Sequence, residues 1–357
     1  MARSLELAAR GRYSTHPNPM VGCVIVDDEG VAGEGWHRVA GHAHAEIEAL
    51  RNAGGRARGA TAYVTLEPCS HHGRTPPCAP ALVAAGLRRV VVAMPDPNPL
   101  VAGQGIALLE GAGLEVRSGL MEEAANVLNA GFVSRMRQDR PRVTLKLAAS
   151  LDGRTAMASG ESQWITGPEA RADVQRLRAA SSAILTGIGT VLADDPSLTV
   201  RAPQLDTAGR QPLRVVLDSR LRTPPDARMF GLPGRTLILT NNADAAAAAG
   251  LVDAGAEVEV LPGAGPRVDL QGALQRLARH ECNDVLAEAG PVLAGAMLAA
   301  GLVDQLVVYL APHAMGDAAR GLFTLPGLEK MADRVQLRFS DVRRVGDDLR
   351  IRAFVES

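Results

Sequence analysis

The chain has 357 residues, more than one hydrophobic core usually holds, so two domains are expected. Hydrophobic residues at 46% and charged residues at 22% are ordinary for a soluble globular protein. A net charge of -1 with no long run of one sign, and only 3% aromatics, argue against a polyanion-binding surface or a base-stacking platform. Four cysteines (Cys23, Cys69, Cys78, Cys282) do not make a disulfide framework in a chain this long, and metal-bound thiolates suit a reducing compartment. The N-terminus shows no basic-then-apolar signal pattern, and no apolar run approaches the roughly 20 residues of a membrane span. A cytoplasmic location is expected.

In chain order, residues 5–9 start an amphipathic helix. Thr15-His16-Pro17-Asn18-Pro19 cannot extend it, because prolines lack the backbone donor and constrain their neighbours. Residues 21–26, broken by Gly22 and ended by Asp27-Asp28-Glu29-Gly30, form a strand and turn, with 33–37 as the partner strand. A helix over 44–52 closes at Gly54-Gly55. The strand 60–66 delivers Glu67-Pro68-Cys69 at its C-terminal end, and a helix over 79–85 follows Cys78. Strand 89–93, helix 106–113, strand 114–118 and one helix over 122–136 complete an alternation that implies a sheet with helices on both faces. Ligands of such sheets gather at strand ends and helix starts.

Within this alternation His44, Cys69 and Cys78 offer one imidazole and two thiols, each cysteine preceded by proline. Three such ligands leave the fourth position of a tetrahedral zinc open, the pattern of a catalytic rather than a structural metal. Glu46 is placed to move protons rather than bind the metal, the division of labour in nucleobase deaminases. Residues two apart do not share a helix face, so the metal is expected off the first helical turn, where His44 and Glu46 both lean toward it. The competing reading is a structural zinc closed by Cys23 or His71. The eight residues between the cysteines depart from the general deaminase spacing, P-C-x-x-C.

Residues 138–141, polar and ended by Pro141, mark a junction, giving domains over 1–140 and 141–357. A strand over 143–149 runs into Ser150-Leu151-Asp152-Gly153, and Pro168 opens a helix over 168–180. The buried strand 183–186 feeds Gly187-Ile188-Gly189-Thr190. Strands follow at 213–218, 236–240, 258–261, 284–287 and 305–310, helices at 270–279 and 291–300, and an antiparallel pair at 336–342 and 349–354. No complete G-x-G-x-x-G is present, but glycines at a strand-to-helix junction still expose backbone N–H groups to phosphate. Glu288-Ala289-Gly290-Pro291 offers the same device.

Thr15-His16-Pro17-Asn18-Pro19-Met20-Val21-Gly22-Cys23, the His44-Ala45-Glu46 triplet, the widely spaced Pro-Cys pairs, Asp96-Pro97-Asn98-Pro99 and Gly103-Gln104-Gly105 resemble the deaminase half of the bifunctional riboflavin-biosynthesis deaminase/reductases. The wide cysteine spacing is usual in that family. Lys146 with Ser150-Leu151-Asp152-Gly153, Ser162 with Trp164, the stretch 187–201 and Asp218-Ser219-Arg220 resemble its reductase half. The resemblance spans nearly the whole chain, in the family's domain order. It implies an α/β protein of two three-layer domains, cytidine-deaminase-like followed by dihydrofolate-reductase-like. It implies Zn2+ on His44, Cys69 and Cys78, with Glu46 as the catalytic acid and base. It implies NADPH against Ala148, Trp164, Thr190, Asp194, Ser219 and the segment from Gly290, and substrate against Ser162, Arg178, Leu198, Arg201 and Glu288.

Further candidates are open to two readings. Asn18 can read the pyrimidine edge or serve as a turn residue before Pro19. His71, His72 and Arg74 of the inserted loop can meet a ribose phosphate or stay solvated, and His37 and His42 are expected in local hydrogen bonds. By charge, Arg220 suits the extra phosphate of NADPH, while Lys146 and Asp194 are candidate partners for developing charge. Ala289 stands where the family usually has glycine, and Pro291 lacks an N–H that a helix start offers to phosphate. The implied reactions are zinc-dependent deamination of a phosphoribosylamino-diaminopyrimidinone and NADPH-dependent reduction of its ribosyl chain to ribityl. A small-molecule substrate, no nucleic-acid or membrane partner, and a homo-oligomer are expected. One rival, a tRNA-base deaminase, leaves the second domain unexplained; the other, a zinc-stapled binding module, needs four protein ligands.

Overall fold

The structure, a computed structural model, describes residues 1–72, 75–99, 101–263 and 265–356. The chain divides into two compact units, Met1–Arg140 with Asp206–Ala208, and Pro141–Leu205 with Gly209–Ser357.

In the first unit α1 (Ala2–Ala9) precedes the hairpin of β1 (Gly22–Asp27) and β2 (Gly30–Trp36). Then come α2 (Ala45–Ala53), β3 (Thr61–Val64), α3 (Cys78–Ala84), β4 (Arg89–Val92), α4 (Gln104–Gly111), β5 (Glu115–Ser118), α5 (Glu122–Leu128) and α6 (Ala130–Gln138). The strands form one sheet ordered β2-β1-β3-β4-β5, in which β1 is antiparallel to both neighbours and β3, β4 and β5 run parallel. Glycines let helices lie close on this sheet. A Cβ at Gly35 of β2 would sit 2.3 Å from the Ala45 carbonyl oxygen of α2, and one at Gly22 of β1 would sit 2.0 Å from the Ser4 carbonyl oxygen of α1. Gly22 pairs with Trp36, one residue on from Gly35, so strand alternation sets α1 and α2 on opposite faces. The layer beneath α2 is a core of Cys23, Ile25, Ala49, Val64, Leu82 and Val90.

One expectation for this unit is corrected. The single helix expected over 122–136 is two helices, broken at Asn129. Asn129 is buried; its Oδ1 accepts from the Met20 N–H at 2.8 Å and its Nδ2 donates to the Met20 carbonyl at 2.9 Å. A side chain that bonds distant backbone competes with the helix ladder, and periodicity cannot register a partner 109 residues away.

The second unit runs β6 (Arg142–Ser150), β7 (Arg154–Ala156), α7 (Pro168–Ala179), β8 (Ala183–Gly187), α8 (Ile188–Asp194), β9 (Leu213–Leu217) and β10 (Thr236–Thr240). It continues with α9 (Ala245–Asp253), β11 (Ala256–Val260), α10 (Leu270–Arg279), β12 (Asp284–Glu288), α11 (Pro291–Ala299), β13 (Gln305–Ala311), β14 (Arg320–Gly321), β15 (Leu337–Val345) and β16 (Asp348–Val355). Nine strands make one sheet ordered β11-β10-β9-β8-β12-β6-β13-β16-β15. The first seven are parallel, and β16 and β15 add antiparallel. Side chains alternate between two cores. On β8, Ala183 and Leu185 join Leu274 of α10 and Met297 of α11, while Ile184 joins Val191 of α8 and Leu251 of α9. The antiparallel addition is tied to α7 by buried polar groups: Tyr309 Oη donates to Asp173 Oδ2 at 2.7 Å, and Arg350 Nη1 meets the same oxygen at 2.6 Å.

Helix α9 and the short β7–β14 pair were not expected. The alanine-rich α9 carries no clear apolar stripe, yet its ends follow the usual chemistry: Asp244 accepts from the N–H groups of Ala246 and Ala247, and Gly255 has φ +95°. No helix among the described residues is long and apolar enough to cross a membrane.

Candidate functional site

His44 is the N-cap of α2, Cys69 follows β3, and Cys78 opens α3. Their ligand atoms all lie within 4.8 Å of one another. His44 Nδ1 is 3.6 Å from Cys69 Sγ and 3.3 Å from Cys78 Sγ, so Nδ1 is the ring nitrogen that faces the thiols. The other nitrogen, Nε2, lies 3.3 Å from Thr75 Oγ1, a contact that steadies the ring. The Cys78 N–H donates to Cys69 Sγ at 3.3 Å. The hydrogen bond from Cys78 draws the Cys69 thiol down to about 4, and the same contact pushes Cys78 up. One negative charge is thus stabilised between the sulfurs, and a second calls for a cation. Among the described residues no further His, Cys or carboxylate joins this cluster. Cys23 is sealed in the core and His71 is exposed, so neither closes the set as a fourth ligand.

Glu46 lies in the first turn of α2 and is 3% exposed. Its Oε2 finds no hydrogen-bond partner among the described residues, and burial pushes its carboxyl up to about 7, against the pull of His44. The cap geometry therefore sets His44 and Glu46 at one helix start. A donor set of one imidazole and two thiols, beside a buried carboxyl whose Oε2 has no hydrogen-bond partner among the described residues, fits Zn2+ with an open position.

Asn18 is drawn into this neighbourhood: its Nδ2 is 3.0 Å from His37 Nε2, and His37 Nδ1 is 3.2 Å from the Ala43 carbonyl oxygen. The His37 ring meets the His44 ring edge-on at 5.2 Å. A small cleft beside Cys69 is lined by Glu67, Pro68, Ser70, His71, Asp96 and Val101. His72 is exposed, and Arg74 lies outside the described residues. Glu67, given no role from the sequence, is 5% exposed and accepts four backbone N–H groups. Its adjacency to a metal-ligating cysteine was the available signal.

In the second unit the parallel strands end together. Glu288, the last residue of β12, pairs in register with Lys146 of β6. Arg178, in the last turn of α7, grips Glu288 through two of its three guanidinium nitrogens: Nε to Oε1 at 2.6 Å and Nη2 to Oε2 at 2.9 Å. A third contact runs from Arg178 Nη1 to the Thr199 carbonyl at 3.1 Å. Burial alone would raise the Glu288 carboxyl, but the Arg178 charge and hydrogen bonds, with Lys146 and Arg201, hold it at about 2. Burial lowers the Lys146 ammonium, partly offset by Glu288. The sequence proposed Arg178 and Glu288 as separate substrate contacts; the structure joins them as one buried pair.

The remaining candidates are scattered around these strand ends. Thr190 in α8 and Gly290, the N-cap of α11, are neighbours: a Cβ on Gly290 would lie 3.9 Å from Thr190 Oγ1. Ala148 is half-buried on β6, opposite Tyr309. Ser219, just after β9, accepts from the Val268 N–H at 3.0 Å. Arg201 is exposed, with Nη1 3.1 Å from Ser197 Oγ. Trp164 is 70% exposed with the Arg171 guanidinium 4.6 Å from its ring centre, and Ser162 is half-buried in the same loop. Asp194 and Arg220 are exposed. Leu198 is different: at φ +46° its side chain is 2% exposed in the core with Ile184 and Val191, leaving only backbone for a ligand.

An open zinc-type triad with a buried acid, followed by a parallel-sheet unit whose strand ends gather a cation–carboxylate cluster and glycine-led helix starts, defines a zinc deaminase fused to a nucleotide-dependent reductase. Comparison with known proteins agrees. Residues 1–94 match the cytidine and deoxycytidylate deaminase zinc-binding region, and residues 141–351 match the RibD C-terminal domain. The chain is 55% identical over 358 residues to riboflavin biosynthesis protein RibD of Escherichia coli K12, covering 98% of this chain and 96% of the relative. Acinetobacter baumannii RibD, form 1, superposes with a TM-score of 0.93 at 48% identity, covering 100% of this chain and 98% of that one. A diaminohydroxyphosphoribosylaminopyrimidine deaminase/5-amino-6-(5-phosphoribosylamino)uracil reductase from Thermotoga maritima superposes at 0.86 with 31% identity, covering 99% and 97%. The chain belongs to the RibD family of riboflavin-biosynthesis proteins. It is a zinc-dependent deaminase and NADPH-dependent reductase in one polypeptide, acting on a small-molecule substrate.

Proposed function

We propose that residues 1–140 deaminate 2,5-diamino-6-(5-phosphoribosylamino)pyrimidin-4(3H)-one and that residues 141–357 reduce the product to 5-amino-6-(5-phosphoribitylamino)uracil. The observation that carries the first step is the open triad of His44, Cys69 and Cys78 beside the unpartnered Glu46 Oε2. Zinc held by these three residues supplies the Lewis acidity that makes water a nucleophile near neutral pH. Glu46 takes one proton from the attacking water and delivers it to the ring nitrogen, then takes the second from the added hydroxyl and delivers it to the amine that departs as ammonia. Asn18, steadied by His37, faces the pyrimidine edge.

When bound, NADPH would supply the hydride for C1′ of the ring-opened, imine-like ribosylamine, whose nitrogen takes a proton from solvent. Backbone N–H groups at the starts of α8 and α11, around Thr190 and Gly290, take cofactor phosphates, with Ala148, Trp164, Asp194 and Ser219 along the rest of the cofactor. Arg201 suits the ribose 5′-phosphate because a guanidinium binds it bidentately. Ser162, the Leu198 backbone and Glu288, held by Arg178, face the same substrate. We place the enzyme in the cytoplasm as a homo-oligomer that acts without nucleic acid. The test is to supply the diaminopyrimidine phosphate with and without NADPH and identify both products. Without NADPH the deaminated ribosylamino compound accumulates with one equivalent of ammonia; with NADPH the ribityl compound forms. Reduction without any deamination would overturn the proposal.

A further inference from the structure

We infer that Glu67 is a positioning residue of the deaminase, which ties Asp96 and the start of α4 to the strand end that carries Cys69 and so shapes the cleft beside that cysteine. The inference rests on the deaminase reading of the first unit. Glu67 precedes Pro68 and Cys69, and its side chain turns away from the metal ligands toward Asp96 and the start of α4. Its Oε2 accepts from the Asp96 and Gly103 N–H groups, both at 3.0 Å; its Oε1 accepts from Gly105 at 2.8 Å and Ile106 at 3.2 Å. Both oxygens are therefore saturated by backbone donors, from Asp96 after β4, Gly103 at the N-cap of α4, and Gly105 and Ile106 in its first turn. Four backbone hydrogen bonds on one buried carboxyl hold Asp96 and the start of α4 against the Cys69 strand end.

A second observation fits the same docking. Gly105 lies so close to the ligand-bearing segment that a Cβ there would stand 1.9 Å from the Pro68 carbonyl oxygen. The loop between β4 and α4 contributes Asp96 and Val101 to the cleft whose other wall is Cys69, Ser70 and His71. Glu67 lines the same cleft and joins its two walls, its four hydrogen bonds going to backbone donors rather than to the metal ligands. Removing it moves the loop wall, while Cys69 keeps its bond from the Cys78 N–H. The expected loss is in substrate binding rather than in metal.

The test uses the full-length zinc-loaded enzyme and two variants, Glu67→Gln and Gly105→Ala. The first sets an amide against two N–H donors; the second drives the start of α4 off Pro68 and leaves Glu67 intact. Both should raise KM for the diaminopyrimidine by about tenfold, the scale of one hydrogen bond to a charged group. The turnover number should change by less than about threefold, zinc content and the spectrum of the cobalt-substituted enzyme should match wild type, and the reductase should be unaffected. Amide exchange at Gly103 and Ile106 should accelerate in Glu67→Gln. An unchanged KM, whether activity falls only with the folded fraction or zinc is lost, overturns the positioning role. Wild-type enzyme that releases no ammonia would instead defeat the deaminase reading itself, and unchanged amide exchange in Glu67→Gln would then overturn the lock separately.

Discussion

The two sites treat a buried carboxyl in opposite ways. At the first, Glu46 has an oxygen with no hydrogen-bond partner among the described residues, and burial lifts its carboxyl to about 7; at the second, Glu288 is clamped by Arg178 and held at about 2. A carboxyl near neutrality can take a proton and give it back within one turnover, which hydrolytic deamination requires. A carboxylate held far below neutrality cannot; it offers a fixed negative charge that orients cations and hydrogen-bond donors. Burial alone therefore does not decide the role of a glutamate. The presence or absence of a matched guanidinium does.

This contrast can be broken in order of expected effect. Stripping zinc with a chelator should abolish ammonia release and leave NADPH oxidation on the deaminated substrate intact, since among the described residues only His44, Cys69 and Cys78 form such a cluster. Parallel loss of both activities would contradict the assignment of zinc to one reaction. Glu288→Gln should cost about 3 kcal/mol in urea unfolding, because it leaves the Arg178 guanidinium buried without its counter-charge, and should depress reduction while deamination persists.

The same pair predicts a pH signature. Glu288 has its folded value depressed from 4.5 to about 2, so its stabilisation is complete above pH 4.5 and lost as the pH falls through 2. The stability gap between wild type and Glu288→Gln should close over that window; a gap that stays constant would mean Glu288 is not ionised against Arg178. The smallest effect is expected for Trp164→Ala. This exposed ring and its Arg171 contact contribute about 1 kcal/mol or less to stability, so the melting temperature should barely move while KM for NADPH rises.

The difference between the sites also explains what was legible in the sequence. His44, Glu46, Cys69 and Cys78 announce themselves because few other roles need those residue types in that order, and short-range caps and strand ends place them. The strands of both sheets were readable from apolar runs bounded by turn residues. What stayed hidden depends on partners far along the chain. Arg178 and Glu288 are 110 residues apart, and neither neighbourhood hints at the other. The Asn129 break depends on Met20, and the four donors to Glu67 come from Asp96 and the start of α4, 29 to 39 residues later. Leu198 illustrates the opposite limit: named for a ligand contact by resemblance, its side chain belongs to the core, and only geometry separates backbone from side-chain contact.

The most direct measurement is ammonia release by zinc-loaded Glu46→Gln. Stoichiometric zinc, unchanged reduction of the deaminated substrate and a fall in deamination of about a thousandfold or more would follow from a proton shuttle at that oxygen. Deamination at the wild-type rate would contradict it.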